Sequence, residues 1–158
     1  MFSSSVPVGE YTDLQLELVR RQISLWETNS DEAGGLADWL PDGVLTAPRG
    51  VREPTGSLPS VVNRWHEDFG DLHVELISMF GSADGRWLAI EWSWFVKRKS
   101  DGASGTTLDA IIVEMRGGKI ASWREYFDTF GSIEFSAHEH VGSGRSPADA
   151  ADQGDLAR

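Results

Sequence analysis

The stretch ASWREYFDT, residues 121–129, decides how the chain is read. Successive side chains of an extended strand point to opposite faces. Ala121, Trp123, Glu125, Phe127 and Thr129 therefore share one face, and Ser122, Arg124, Tyr126 and Asp128 share the other. The first face is apolar apart from one carboxylate. Burial raises a carboxyl pKa, and a second acid nearby raises one of the pair further. That is how a glutamate becomes a usable general acid or base near neutral pH. The plainer reading is that Glu125 pairs with an arginine inside the fold or lies at a dimer interface. The strand alone does not choose between them.

Working outward, the hairpin signal RGGK precedes this strand, and three more strand patterns precede the hairpin: LHVELISMF (72–80), RWLAIEWSWFVKR (86–98) and TTLDAIIVEM (106–115). The turns GSADG and KSDGASG separate them. In the long strand Leu88, Ile90, Trp92, Trp94 and Val96 form a wholly apolar face, expected to meet helices. Trp87, Glu91, Ser93, Phe95 and Lys97 lie on the mixed opposite face, as on a partly covered outer surface. In the next strand Asp109 shares a face with Thr107, Ile111, Val113 and Met115, a second acid among aliphatics. If Asp109 and Glu125 both point inward, two acids meet in a space lined by tryptophans.

Ahead of the strands, apolar residues at helical spacing (Leu16, Val19, Ile23, Trp26) predict a helix over 12–29, with Thr12 or Asp13 as N-cap. A shorter helix is expected over 31–40, a short strand over 44–47, a loop through PRGVREPTG and a third helix over 57–69. Helices followed by hairpin-linked strands predict an α+β fold with a mostly antiparallel sheet. The expected organisation is an N-terminal extension (1–11), one domain (12–132) and a mobile, Gly-, Ala-, Asp- and Ser-rich C-terminal tail (133–158).

Composition narrows the partners. A formal charge of −11 argues against nucleic acid and against an anionic membrane surface. The absence of cysteine excludes disulfides and thiolate metal sites. The opening MFSSSVPVGEY has neither a basic segment nor a long apolar run, so no signal peptide is expected and the cytoplasm is the expected compartment. GxSxG, GxGxxG, P-loop and HExxH motifs are missing, and no cofactor or metal is expected. His138 and His140 have a metal-compatible spacing but lie in the tail without a third ligand. His73 opens a strand, and whether it approaches the cavity depends on whether that strand carries a bulge; a structural or surface histidine is the plainer reading.

The order helix, helix, strand, helix and four-strand meander, ending in GGKIASWREYFDT, resembles the nuclear transport factor 2-like superfamily. More narrowly it looks like the SnoaL-like branch, with its polyketide cyclases, and like limonene epoxide hydrolase. The resemblance spans about residues 14–130, and its specific part is the last hairpin. It implies a curved, mostly antiparallel sheet wrapped around the N-terminal helices as a cone, with a deep apolar pocket. It also implies homodimers formed through the outer face of the sheet. In both enzyme groups the acid two residues after this tryptophan position is catalytic, which here is Glu125. The epoxide hydrolase Arg and Asp fall on Trp92 and Trp94, its Tyr and Asn fall near Leu45 and Ala47, and the additional cyclase His falls near Ile111. The oxyanion-hole tyrosine of ketosteroid isomerases has no counterpart, since Tyr11 and Tyr126 are misplaced for it.

The expected function is a cofactor-independent acid–base enzyme of isomerase, cyclase or dehydratase type, acting on a hydrophobic small molecule. Glu125 and Asp109 are its candidate catalytic residues. Trp92, Trp94, Trp123, Phe127, His73 and Ile111 are its candidate substrate contacts. Epoxide hydrolysis is the enzymatic alternative. A non-catalytic ligand-binding or dimeric adaptor module is the alternative from another class.

Overall fold

A computed structural model describes residues 7–127. The first helix, α1 (Asp13–Thr28), starts at a capping box. Thr12 Oγ1 accepts from the Gln15 amide at 3.2 Å, and Gln15 Oε1 accepts from the Thr12 amide at 2.8 Å. It stops where Asn29 turns left-handed, φ 52°. Its buried stripe is Leu16, Leu18, Val19, Gln22, Leu25 and Trp26.

In place of the expected helix over 31–40 the chain makes only a 3-10 turn, Gly35–Asp38, and then enters β1 (Trp39–Ala47). Two glycines explain the difference. Gly34 sits at φ 77°, and Gly35 lies so near the Arg21 carbonyl that a Cβ would come within 2.9 Å of it. Arg21 then clamps Asp38 through two hydrogen bonds of 2.9 and 2.8 Å. The PDG signal at 41–43 is not a terminal turn but a bulge inside β1, where the pairing with the last strand slips between Trp39 and Val44.

The loop PRGVREPTG contains a strand that alternation missed. Arg49 and Gly50, both left-handed (φ 64° and 76°), reverse the chain so that β2 (Val51–Pro54) pairs antiparallel with β1. After α2 (Leu58–Asp68) come β3 (Phe69–Gly81), β4 (Trp87–Arg98), β5 (Ser104–Arg116) and β6 (Lys119–Phe127).

The sheet order is β2-β1-β6-β5-β4-β3, open at both ends. Among the six strands the β1–β6 pairing is parallel and the other four are antiparallel. This is the α+β arrangement expected. Leu88, Ile90, Trp92, Trp94 and Val96 are all buried against the helices, as their shared parity required. Residues 8–10 are not a free extension, because Val8 bridges Ser78 in parallel along the outer edge of β3. Asp128, Thr129, His138, His140 and the tail over 133–158 lie outside the described residues. No helix among the described residues is long and apolar enough to cross a membrane.

Candidate functional site

Register brings the two acids together. On β5, Asp109 stands opposite Trp92 of β4 on one side and Phe127 of β6 on the other. Glu125 of β6 stands opposite Ile111. Asp109 and Glu125 are thus diagonal neighbours on one face, a relationship that separates residues by about 7–8 Å in antiparallel pairs. Both are buried, at 2% and 6% exposure. Each accepts a hydrogen bond from an indole on its own face. Trp92 Nε1 donates to Asp109 Oδ2 at 3.1 Å, and Trp123 Nε1 donates to Glu125 Oε1 at 3.0 Å. The two indoles pack together with ring centroids 5.5 Å apart.

Asp109 also accepts from the Tyr126 backbone amide at 3.2 Å. Burial pushes its carboxyl up to about 7, and the donors Trp92, Tyr126 and Trp94 pull it back only part of the way. At neutral pH the protonated and ionised forms therefore coexist. Ionised, Asp109 is an acceptor for these donors; protonated, it gains a donor of its own.

Around the acids the interior is aromatic. Trp92 stacks edge-on to Trp94 at 5.5 Å, Trp94 to Trp26 at 5.4 Å, and Trp26 to Trp65 at 6.4 Å. Ile111 is fully buried beneath Glu125, and Phe127 is half-buried beside Asp109. Trp92, Trp94, Trp123, Phe127 and Ile111 thus come together with the two acids.

His73 does not join them. It lies half exposed opposite Phe95, with Nδ1 2.9 Å from Glu27 Oε1. The bulge that decides its parity falls between Gly70 and His73, around the left-handed Asp71, and turns His73 outward and Val74 inward. Arg124 and Tyr126 are also on the outer face, the Arg124 guanidinium 5.7 Å from the Trp87 ring centre.

Gln22 is the polar group that alternation arguments passed over. It is 1% exposed on α1, accepts from Trp39 Nε1 at 2.9 Å and donates to the Gly35 carbonyl at 2.8 Å. Trp39 in turn packs against Trp123 at 6.1 Å. The signal was available: an amide three residues after Val19 and four before Trp26 lies on the apolar stripe. No group of three or more His, Cys, Asp or Glu side chains able to hold a metal occurs among the described residues.

No family model matches the sequence, and no match was found among curated proteins. Solved structures do resemble the fold. An NTF2-like protein of unknown function from Burkholderia pseudomallei superposes with TM-score 0.65 at 14% identity, over 84% of this chain and all of that one. TerC, co-crystallised with polyporic acid, gives TM-score 0.64 at 16% identity, over 83% of this chain and 100% of its own. A proposed polyketide cyclase from Pseudomonas putida gives 0.56 at 18% identity, over 70% and 89%. At such identities the likeness speaks for architecture alone. The helices, the open mixed sheet and these superpositions agree: the chain has the nuclear transport factor 2-like fold.

Proposed function

We propose that this protein is a cofactor-independent acid–base catalyst acting on a hydrophobic small molecule that bears a carbonyl or hydroxyl group. The observation that carries the reading is the pair of buried carboxyls on adjacent strands, and burial pushes one of them, Asp109, up to about 7. Glu125 would take a proton from carbon next to a carbonyl. The electron pair then moves onto the carbonyl oxygen, where protonated Asp109 donates a hydrogen bond. Return of the proton at another carbon is isomerisation. Attack of the same carbanion on a second carbonyl is cyclisation, and expulsion of a β-hydroxyl with a proton from Asp109 is dehydration. Placed acid–base groups of this kind contribute about 10²–10⁴-fold in rate. Co-crystallisation of TerC with polyporic acid supports the use of this architecture for small-molecule ligands. Epoxide opening by water has less support, because Trp92 and Trp94 occupy the positions that would carry its Arg and Asp.

The test is Glu125→Gln, assayed on a panel of polyketide-like, steroid-like and epoxide compounds. Loss of turnover on the working substrate with retained binding supports the reading. Unchanged turnover removes Glu125 from the mechanism.

The mutual packing of the tryptophans favours a second reading, a binding or adaptor module in which the acids serve to anchor indole N–H groups. Parent and Glu125→Gln would then bind ligand alike and turn nothing over. A homodimer through the outer sheet face fits either reading. Phe80, Trp87, Phe95, Leu108 and Tyr126 are exposed there, around a cleft of about 390 Å³ that several of them line.

A further inference from the structure

The sheet has two open edges, and β3 is one of them. An edge strand offers unpaired amides and carbonyls to any other extended chain, and proteins generally cover or charge such edges. Here several backbone groups of β3 already have partners from elsewhere in the chain. Glu27 Oε1, at the end of α1, accepts from the Val74 amide at 2.7 Å. Further along, the Val8 amide donates to the Ile77 carbonyl at 3.2 Å. The Met79 amide donates to the Val8 carbonyl at 2.9 Å, and the Gly81 amide donates to the Glu10 carbonyl at 2.8 Å.

This short strap is held at both ends. Tyr11 Oη donates to the Pro7 carbonyl at 2.8 Å, closing the segment on itself, and Thr12 fixes its exit as the N-cap of α1. Its seat on β3 depends on one residue. Gly9 has φ 139°, and a Cβ there would lie 1.8 Å from the Met79 carbonyl oxygen, so no other residue fits while the strap stays in place.

We infer that residues 7–10 guard the edge of β3, and that displacing them opens a strand edge that takes a second copy of this chain by antiparallel pairing. The occupant follows from the chemistry of the edge. Residues 76–81, which span the guarded stretch, carry no charged side chain, and Ile77 and Phe80 are exposed, so two copies pairing there meet without repulsion. Two identical edges satisfy each other's groups around a two-fold axis, as a closed isologous contact. This contact is separate from any dimer through the sheet's outer face, because it uses the strand's edge.

The experiment uses the full chain carrying Gly9→Val, with Val8→Pro as a second variant that removes the Val8 N–H donor and fixes φ there. Mass is measured by light scattering over a concentration series, and amide exchange is followed at Met79 and Gly81. The near-UV signal of the tryptophans checks that each variant remains folded. The expected result is rapid exchange at both amides when dilute, with mass rising above the parent's and protection returning as concentration increases. Adding Ile77→Lys to Gly9→Val should restore the parent's mass, because a charge on the edge opposes pairing. Variants that exchange quickly at Met79 and Gly81 yet keep the parent's mass throughout would overturn the inference. So would a Gly9→Val chain whose amides stay protected when dilute, since the strap would then not need its glycine.

Discussion

Trp92 and Asp109 face each other across β4 and β5, and the indole N–H donates to the carboxyl at 3.1 Å. Strand register, not loop geometry, makes this contact, and the β4–β5 register runs past it without a break. It also leaves the acid with its charge as the least favourable part of its surroundings. Burial raises the Asp109 pKa from 3.8 to about 7 against the pull of its donors.

The sign of the resulting pH dependence follows by linkage. A carboxyl whose folded pKa is raised binds its proton more tightly folded than unfolded. Its stabilising contribution is fully present below pH 3.8 and is lost as pH rises to about 7. Chemical denaturation of the parent should therefore show a loss of stability, attributable to this group, across that window. In Asp109→Asn that component should vanish. The variant should also be destabilised at low pH by about 1–3 kcal/mol, since its amide nitrogen must face a donor, the Trp92 N–H or the Tyr126 N–H.

The same contact supplies an optical readout. Trp92 donates to Asp109, so indole emission should change as Asp109 titrates, with a midpoint near 7. Fluorescence followed against pH checks this. The inflection should be missing in Asp109→Asn and present in Glu125→Gln.

Trp123→Phe removes the indole N–H donated to Glu125 while keeping an aromatic ring between Trp39 and Trp92. Loss of that donor to a buried carboxylate should cost about 1.5–3 kcal/mol in urea unfolding at neutral pH. Under the catalytic reading, turnover should also fall, because a donor that orients the Glu125 carboxyl has gone.

Gln22→Leu strands the Trp39 N–H and the Gly35 carbonyl together, and should lower stability by about 2–4 kcal/mol. Gln22→Glu keeps the acceptor for Trp39 but brings a carboxylate against the Gly35 carbonyl and Asp38. Its deficit should be larger at neutral pH than at pH 4, which thermal melts at the two pH values would reveal.

Much of this site was legible from alternation because its strands are regular where it matters. Leu88 to Val96, Thr107 to Met115 and Trp123 to Glu125 keep strict two-residue parity, so alternation grouped Asp109 and Glu125 with apolar neighbours, although it did not by itself say which face was the inward one. Parity failed where the backbone does. Bulges in β3 reversed the side on which His73 emerges, and the bulge at 41–43 disguised a strand as a helix end. The strand at 51–54 was hidden by its shortness, and Gln22 by its polarity, since an amide is expected to face water until its partners are known.

One joint in the sheet has a consequence for synthesis. Val44 of β1 pairs with Ser122 of β6, so the N-terminal third of the sheet finds its neighbour only after the last strand exists. The hairpins from β3 to β6 close locally, whereas this parallel seam is a long-range contact and carries the entropic cost of its whole intervening loop. A nascent chain still lacking β6 therefore leaves the ribosome with Trp39 and Leu45 uncovered, and its exposure to chaperones and proteases is set by the arrival of the very hairpin that carries Glu125.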